Sequence, residues 1–190
     1  MITGIILAGG QSTRMGGNDK GLVELQGKPL YQHVLERLKN QVDDIIISAN
    51  RNISIYQQSG YKVIRDVEEG FAGPLAGILT GMKAANSEWV IFAPCDVPGL
   101  PLDLVTRLWN EKGDNNAVYV TDGSRDHPTL LLINRILIEP LTTYLQNGDR
   151  KLMLFITQIG AKAISFIDQP DAFLNLNSPE DLSNWQKRYE

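Results

Sequence analysis

The chain has 190 residues, of which 43% are hydrophobic and 21% charged, with a formal net charge of −4. That length suits one domain with a sizeable core, and the acidic balance gives no general electrostatic case for binding DNA or an anionic membrane. Cys95 is the one cysteine, which excludes an intramolecular disulfide, and with only His33 and His127 beside it a structural zinc site has no support.

Residues 3–8 read as a first buried strand, built on Ile5, Ile6 and Leu7. The run is short, lacks a basic leader and passes into glycines, so it is a strand and not a signal peptide; no run approaches a membrane span, and the cytoplasm is the expected compartment. It opens into L-A-G-G-Q-S-T-R-M-G-G-N-D-K, residues 7–20. Four glycines there (Gly9, Gly10, Gly16, Gly17) let backbone N–H groups approach a ligand closely, and successive N–H groups form an anion-binding concavity. With the cations Arg14 and Lys20 added, the natural guest is a polyphosphate. The stretch matches neither G-x-x-x-x-G-K-[ST] nor G-x-G-x-x-G, so neither a kinase-type nucleotide site nor an NAD site has motif support.

Further along, residues 21–25 read as a short extended piece ending at Gly27. Leu30, Val34, Leu35 and Leu38 then recur at helical spacing over 29–40, with Pro29 suited to a first turn. Strands follow at 45–47, 62–65 and 89–93, separated by helices at 53–59 and 74–85. Strand and helix alternate and the apolar runs are too uniform for a half-exposed sheet, which signals a parallel sheet covered on both faces. After a helix beyond Pro101, strands at 117–120 and 129–133 flank the turn-rich residues 122–126, and their pairing should be antiparallel, giving a mixed sheet. Helices at 136–146 and 151–159, a strand at 163–167 and a helix from Pro179, capped by Ser178, complete the chain. No linker divides it, so it reads as one domain over 1–190.

Asp66 and Asp96 each stand just beyond an apolar strand, at the edge that carries the glycine-rich stretch, and are placed for a hard cation. Mg²⁺ takes one or two protein carboxylates and fills its shell with water and substrate phosphate. Asp96 is the better candidate, because it follows the longest strand and precedes Pro98 and Pro101. His33 reads as a helix-surface or packing residue. His127 either meets substrate or orders its turn. Without a G-x-S-x-G elbow, a serine hydrolase built on Ser12 or Ser124 has little support. Cys95 and the three tryptophans read as packing residues.

These residues resemble a known family. L-A-G-G-Q-S-T-R-M-G-G-N-D-K is similar to the signature L-A-G-G-x-S-x-R-M-G-x-D-K of the molybdenum cofactor guanylyltransferases, the MobA family. G-K-P-L-Y-Q-H-V (27–34), G-P-L-A-G-I (73–78), P-C-D-V-P (94–98), R-D-H-P-T-L (125–130) and N-L-N-S-P-E-D-L (175–182) extend the resemblance over almost the whole chain. It implies a three-layer, Rossmann-like nucleotidyltransferase fold with a mostly parallel, mixed central sheet. It implies Mg²⁺-dependent transfer of GMP from GTP to molybdenum-loaded molybdopterin, with release of pyrophosphate. By the same resemblance Leu7, Ala8, Gly9, Gly10, Lys20, Asp66 and Asp96 bind nucleotide, and Asp96 holds the Mg²⁺. Arg14, Lys20 and Asp96 carry the catalysis. Gly17, Gly73, Asn175 and Asn177 lie on the pterin side. Residues 1–100 would then form the nucleotide half and 101–190 the acceptor half, with transient contacts to a molybdenum insertase and acceptor molybdoenzymes.

At Ser48 the family commonly has a nucleotide-contacting asparagine. Serine keeps a hydroxyl and loses the amide, and Asn50, two residues on, is the alternative donor. The rival readings are a cytidylyltransferase or sugar-phosphate nucleotidyltransferase on the same fold, and a non-catalytic GTP-binding module. The L-A-G-G start favours guanine over the L-A-A-G common in cytidylyltransferases.

Overall fold

The computed structural model describes residues 1–8, 19–66, 73–174, 176 and 178–189. The amino-terminal half runs β1 (Ile2–Leu7), β2 (Glu24–Leu25), β3 (Lys28–Pro29), α1 (Leu30–Leu38), β4 (Asp44–Ser48), α2 (Ile53–Gln57), β5 (Lys62–Ile64), α3 (Pro74–Ala84) and β6 (Trp89–Pro94). The second half adds α4 (Leu104–Glu111), β7 (Ala117–Thr121), β8 (Asp126–Asn134), α5 (Ile138–Gln146), α6 (Leu152–Gln158), β9 (Lys162–Ser165) and α7 (Pro179–Tyr189).

Among the described residues, seven strands form one sheet in the order β5-β4-β1-β6-β8-β7-β9. β5, β4, β1 and β6 are mutually parallel, β8 is antiparallel to both of its neighbours, and β7 pairs parallel with β9. The sheet is therefore mixed and mostly parallel, and the antiparallel pair falls where the turn-rich residues 122–126 required it. Strand side chains divide by period 2 between two cores. Ile6, Ile47, Ile91 and Leu132 face α1, α2 and α4. Ile5, Ile46, Phe92 and Leu131 face α3, α5 and α6. Both sheet faces are covered, giving three layers, with a small third cluster of Leu25, Leu30 and Leu176 beneath Trp185 of α7. Among the described residues no helix is long and apolar enough to cross a membrane.

The expected extended piece at 21–25 is instead a 3-10 turn, Lys20–Leu22, followed by the two-residue strands β2 and β3. The hairpin turns on Gln26 and Gly27, both at positive φ (54° and 77°), as the right-handed twist of a two-residue hairpin demands. α1 begins at Leu30, with Pro29 in the cap position.

Helix α3 approaches the sheet through a bare backbone face. A Cβ on Gly81 would come within 2.6 Å of Ile5 Cδ1 and 2.8 Å of Phe92 Cε1, and both side chains are fully buried. Overpacking costs about 1–3 kcal/mol and alanine's helix preference returns up to about 1 kcal/mol, so Gly81→Ala is expected to lose about 1 kcal/mol. Urea titration checks this: the midpoint falls while the m-value stays unchanged.

Candidate active site

The order β4-β1-β6 makes β1 the switch point. The chain leaves β1 through α1 to β4 on one side and returns through α3 to β6 on the other. In open α/β sheets ligands sit in the crevice outside the carboxyl ends of strands at such a point. The strand ends there are held in step: Ala8 N–H donates to Ser48 O (2.8 Å), Cys95 N–H to Leu7 O (3.1 Å) and Ala49 N–H to Ile64 O (2.9 Å). These bonds set Leu7, Ala8, Ser48 and the Pro94–Cys95–Asp96 bend along one edge.

Two of the expected charged residues meet directly. Lys20 Nζ donates to Asp96 Oδ2 at 3.2 Å, with the side chains 28% and 11% exposed. The other carboxylate oxygen, Asp96 Oδ1, is buried and has no hydrogen-bond partner among the described residues. A buried acceptor left unmade costs free energy unless a ligand or ion completes it. Asp66 repeats the pattern: Oδ2 accepts from Asn50 Nδ2 (3.0 Å), Asp66 N–H donates back to Asn50 Oδ1 (3.0 Å), and Oδ1 is buried without a partner among the described residues. The Asn50 amide thus fixes Asp66 through both its nitrogen and its oxygen. Ser48 Oγ, Asp66 Oδ1 and Leu7 Cδ2 lie 3.7, 3.6 and 3.3 Å from where a Cβ on Gly77 would stand, so the glycine keeps that corner open.

Gly73 stands at the N-cap of α3 at φ 84°, in the left-handed region that favours glycine. Leu176 N–H donates to the backbone carbonyl of Asp96 (3.0 Å), which brings Leu176 against the same bend. Gly9, Gly10, Arg14, Gly17, Asn175 and Asn177 lie outside the described residues. The donor set fits the expected Mg²⁺, which takes one or two protein carboxylates: Asp96 keeps one buried oxygen without a partner among the described residues.

Other candidates resolve as framework. His127 is buried, bonds Asp122 Oδ2 through Nε2 (2.7 Å) and stacks on Phe173, so it orders its turn. His33 Nε2 bonds Leu25 O (2.8 Å) and ties α1 to β2. Cys95 is buried, and burial together with the neighbouring Asp96 pushes its thiol well above the ordinary range, away from nucleophilic use. Trp89 and Trp109 pack edge to face under Lys112. Sequence reasoning missed Asp19, which is 7% exposed and takes hydrogen bonds from three groups beside Lys20. The available signal was the D-K pair that closes the family signature, with the acid immediately before the lysine.

For Asp122, burial raises the carboxyl's pKa, but hydrogen bonds from His127 and from the Ser124 and Arg125 amides outweigh it and bring it to about 2. A folded pKa below the unfolded one contributes stability that is full above pH ~4 and is lost as pH falls toward ~2. The melting-temperature gap between the parent chain and Asp122→Asn is therefore expected to shrink on acidification from pH ~4 toward pH ~2, measured by thermal denaturation across that range.

A family model described as the MobA-like NTP transferase domain matches residues 4–162. The molybdenum cofactor guanylyltransferases of Yersinia pestis (strain Pestoides F) and Yersinia pseudotuberculosis serotype O:1b are each 53% identical to this chain over 187 residues, covering 98% of it and 96% of the relative. Among solved structures, the molybdopterin-guanine dinucleotide biosynthesis protein A of Archaeoglobus fulgidus is 21% identical with a TM-score of 0.81, covering 98% of both chains. The 4-diphosphocytidyl-2C-methyl-D-erythritol synthase of Anaerococcus prevotii is 14% identical with a TM-score of 0.79, covering 100% of this chain and 96% of that one. The two structures share the fold, while the family model and the curated relatives establish kinship: this chain belongs to the MobA-like NTP transferase family.

Proposed function

We propose that this chain is a molybdenum cofactor guanylyltransferase, transferring GMP from GTP to molybdenum-loaded molybdopterin with release of pyrophosphate. The observation that carries the reading is the Lys20–Asp96 pair at the β1 switch point, whose second carboxylate oxygen has no partner among the described residues, in a chain 53% identical to relatives of that name. Asp66 follows β5 and Asp96 follows β6, with β4 and β1 between those strands in the sheet, which supports a nucleoside lying along the edge between the two acids.

A terminal phosphate oxygen of the pterin attacks the α-phosphorus of GTP in line. That oxygen is already ionised, so no strong general base is needed, and catalysis is positioning and charge stabilisation. Asp96 would hold Mg²⁺, which when bound supplies positive charge against the phosphates. Lys20, with Arg14 and the glycine-loop amides, accepts the charge of the departing pyrophosphate. Ser48 and Asp66, beside Gly77, face the nucleoside. Residues 1–100 serve the nucleotide and 101–190 the acceptor, with Asn175 and Asn177 on the pterin side; the bond from Leu176 to Asp96 O supports that placement. A labile product of this kind implies hand-over contacts with an insertase and acceptor enzymes.

Incubation with Mg²⁺, molybdenum-loaded molybdopterin and either GTP or CTP tests the reading. GTP is expected to yield pyrophosphate and the guanine dinucleotide. Product from CTP alone would assign the cytidylyl reaction, and tight GTP binding with no pyrophosphate would leave a binding module.

A further inference from the structure

Asp19 sits immediately before Lys20 and is almost fully buried, 7% exposed. Its Oδ1 accepts from the Tyr56 hydroxyl (2.8 Å) and the Gly21 N–H (3.2 Å), and its Oδ2 accepts from Asn52 Nδ2 (3.1 Å). Asp19 O also accepts the Leu22 N–H (3.0 Å), closing the 3-10 turn over Lys20–Leu22. The two side-chain donors come from the start and interior of α2, an element more than thirty residues away in the chain. Tyr56 is fully buried, braced edge to face by Tyr31 at 4.8 Å. Burial, reinforced by the Asp19 charge, holds its phenol far above ordinary titration, so it remains an O–H donor. Gly21 has no freedom to grow: a Cβ there would lie 2.4 Å from the Tyr56 hydroxyl oxygen. Asn52 adopts φ 56°, a left-handed conformation unusual for a residue other than glycine.

A turn held from three directions fixes the backbone from which Lys20 leaves, and Lys20 then reaches Asp96 Oδ2. We infer that Asp19, Tyr56 and Asn52 form a positioning network that acts through Lys20, so that α2 sets where the ammonium meets the ligand's phosphates. This rests on Lys20 binding nucleotide, as proposed above. On this inference the effect of all three is carried by one lysine, and that makes the network separable from ordinary core packing.

The test is a double-mutant cycle. Tyr56→Phe keeps the ring and its packing and deletes only the donor to Asp19. Mg²⁺–GTP affinity is measured by calorimetry for the parent chain, Tyr56→Phe, Lys20→Ala and the double variant, with thermal melts alongside. Loss of a hydrogen bond to a charged group is expected to weaken GTP binding about tenfold in the parent background. In the Lys20→Ala background the same change is expected to weaken it less than about twofold, because the residue through which it acts is gone. Asp19→Asn, which keeps the shape and removes the charge, is expected to follow the same pattern. Equal losses in both backgrounds, or no loss in the parent, would overturn the inference in favour of a structural role. The two readings fail separately: a parent chain that binds GTP but transfers nothing overturns guanylyl transfer while the cycle still decides the network, and one that binds no GTP overturns both.

Discussion

Asp96→Asn is expected to fold normally and to lose about 10²–10³ in turnover, the range found when one preorganised electrostatic contact is removed from a transition state. The substitution preserves volume at a buried position, 8% exposed, and preserves the backbone carbonyl that receives Leu176 N–H. What it removes is the anion. Lys20, 28% exposed at its side chain, retains water around its ammonium, so the folded state loses little. The buried oxygen that has no partner among the described residues also loses its charge, and with it the reason for a divalent cation to settle there. Two measurements separate these effects. Single-turnover pyrophosphate release should fall by the stated factor with an unchanged cooperative melt. GTP affinity in the parent should drop when EDTA is added, and in Asp96→Asn it should be insensitive to EDTA. A near-normal rate would take Asp96 out of the mechanism, and equal parental affinity with and without metal would leave it a structural role.

Where the sequence was informative, the signal was local. β1, β4 and β6 are short apolar runs ended by a turn, and a strand buried on both faces is written in that way. Leu30, Val34, Leu35 and Leu38 declare α1 by spacing and are all buried. Asp66 and Asp96 were legible as strand-end acids, because a parallel sheet brings its carboxyl ends to one edge whatever the connections between them. The features that escaped are pairings between distant segments. Nothing near Tyr56 announces a partner 37 residues upstream, and α2 looks like any short amphipathic turn. The Asn50–Asp66 exchange of two hydrogen bonds likewise joins the ends of adjacent strands, which no spacing rule reaches. Residues 21–25 were misread for a different reason. Val23 and Leu25 suggest an extended run, but Asp19 captures the preceding turn and the positive-φ pair at Gln26–Gly27 folds the remainder back on itself.

Lys20→Ala is the companion experiment, and it asks which of two duties the lysine performs. Its ammonium sits 3.2 Å from Asp96 Oδ2, so one duty is to balance that carboxylate's charge at a half-buried edge. The other, under the proposed reaction, is to leave Asp96 when nucleotide arrives and take up the charge developing on pyrophosphate. An exchange of partners costs little, since an ion pair with one member more than a quarter exposed is worth little on its own. Either duty alone would lower the rate, but they respond differently to Mg²⁺. If the lysine only balances Asp96, excess Mg²⁺ can substitute for it and the rate returns. If it stabilises the leaving group, no concentration of Mg²⁺ restores the contact, and product pyrophosphate also binds more weakly. The expected result is a loss of about 10²–10³ in single-turnover rate that persists across a Mg²⁺ titration, with pyrophosphate inhibition weakened in parallel. Recovery of the rate at high Mg²⁺ would reduce Lys20 to a counter-charge and pass the leaving-group role to Arg14 and the glycine-loop amides.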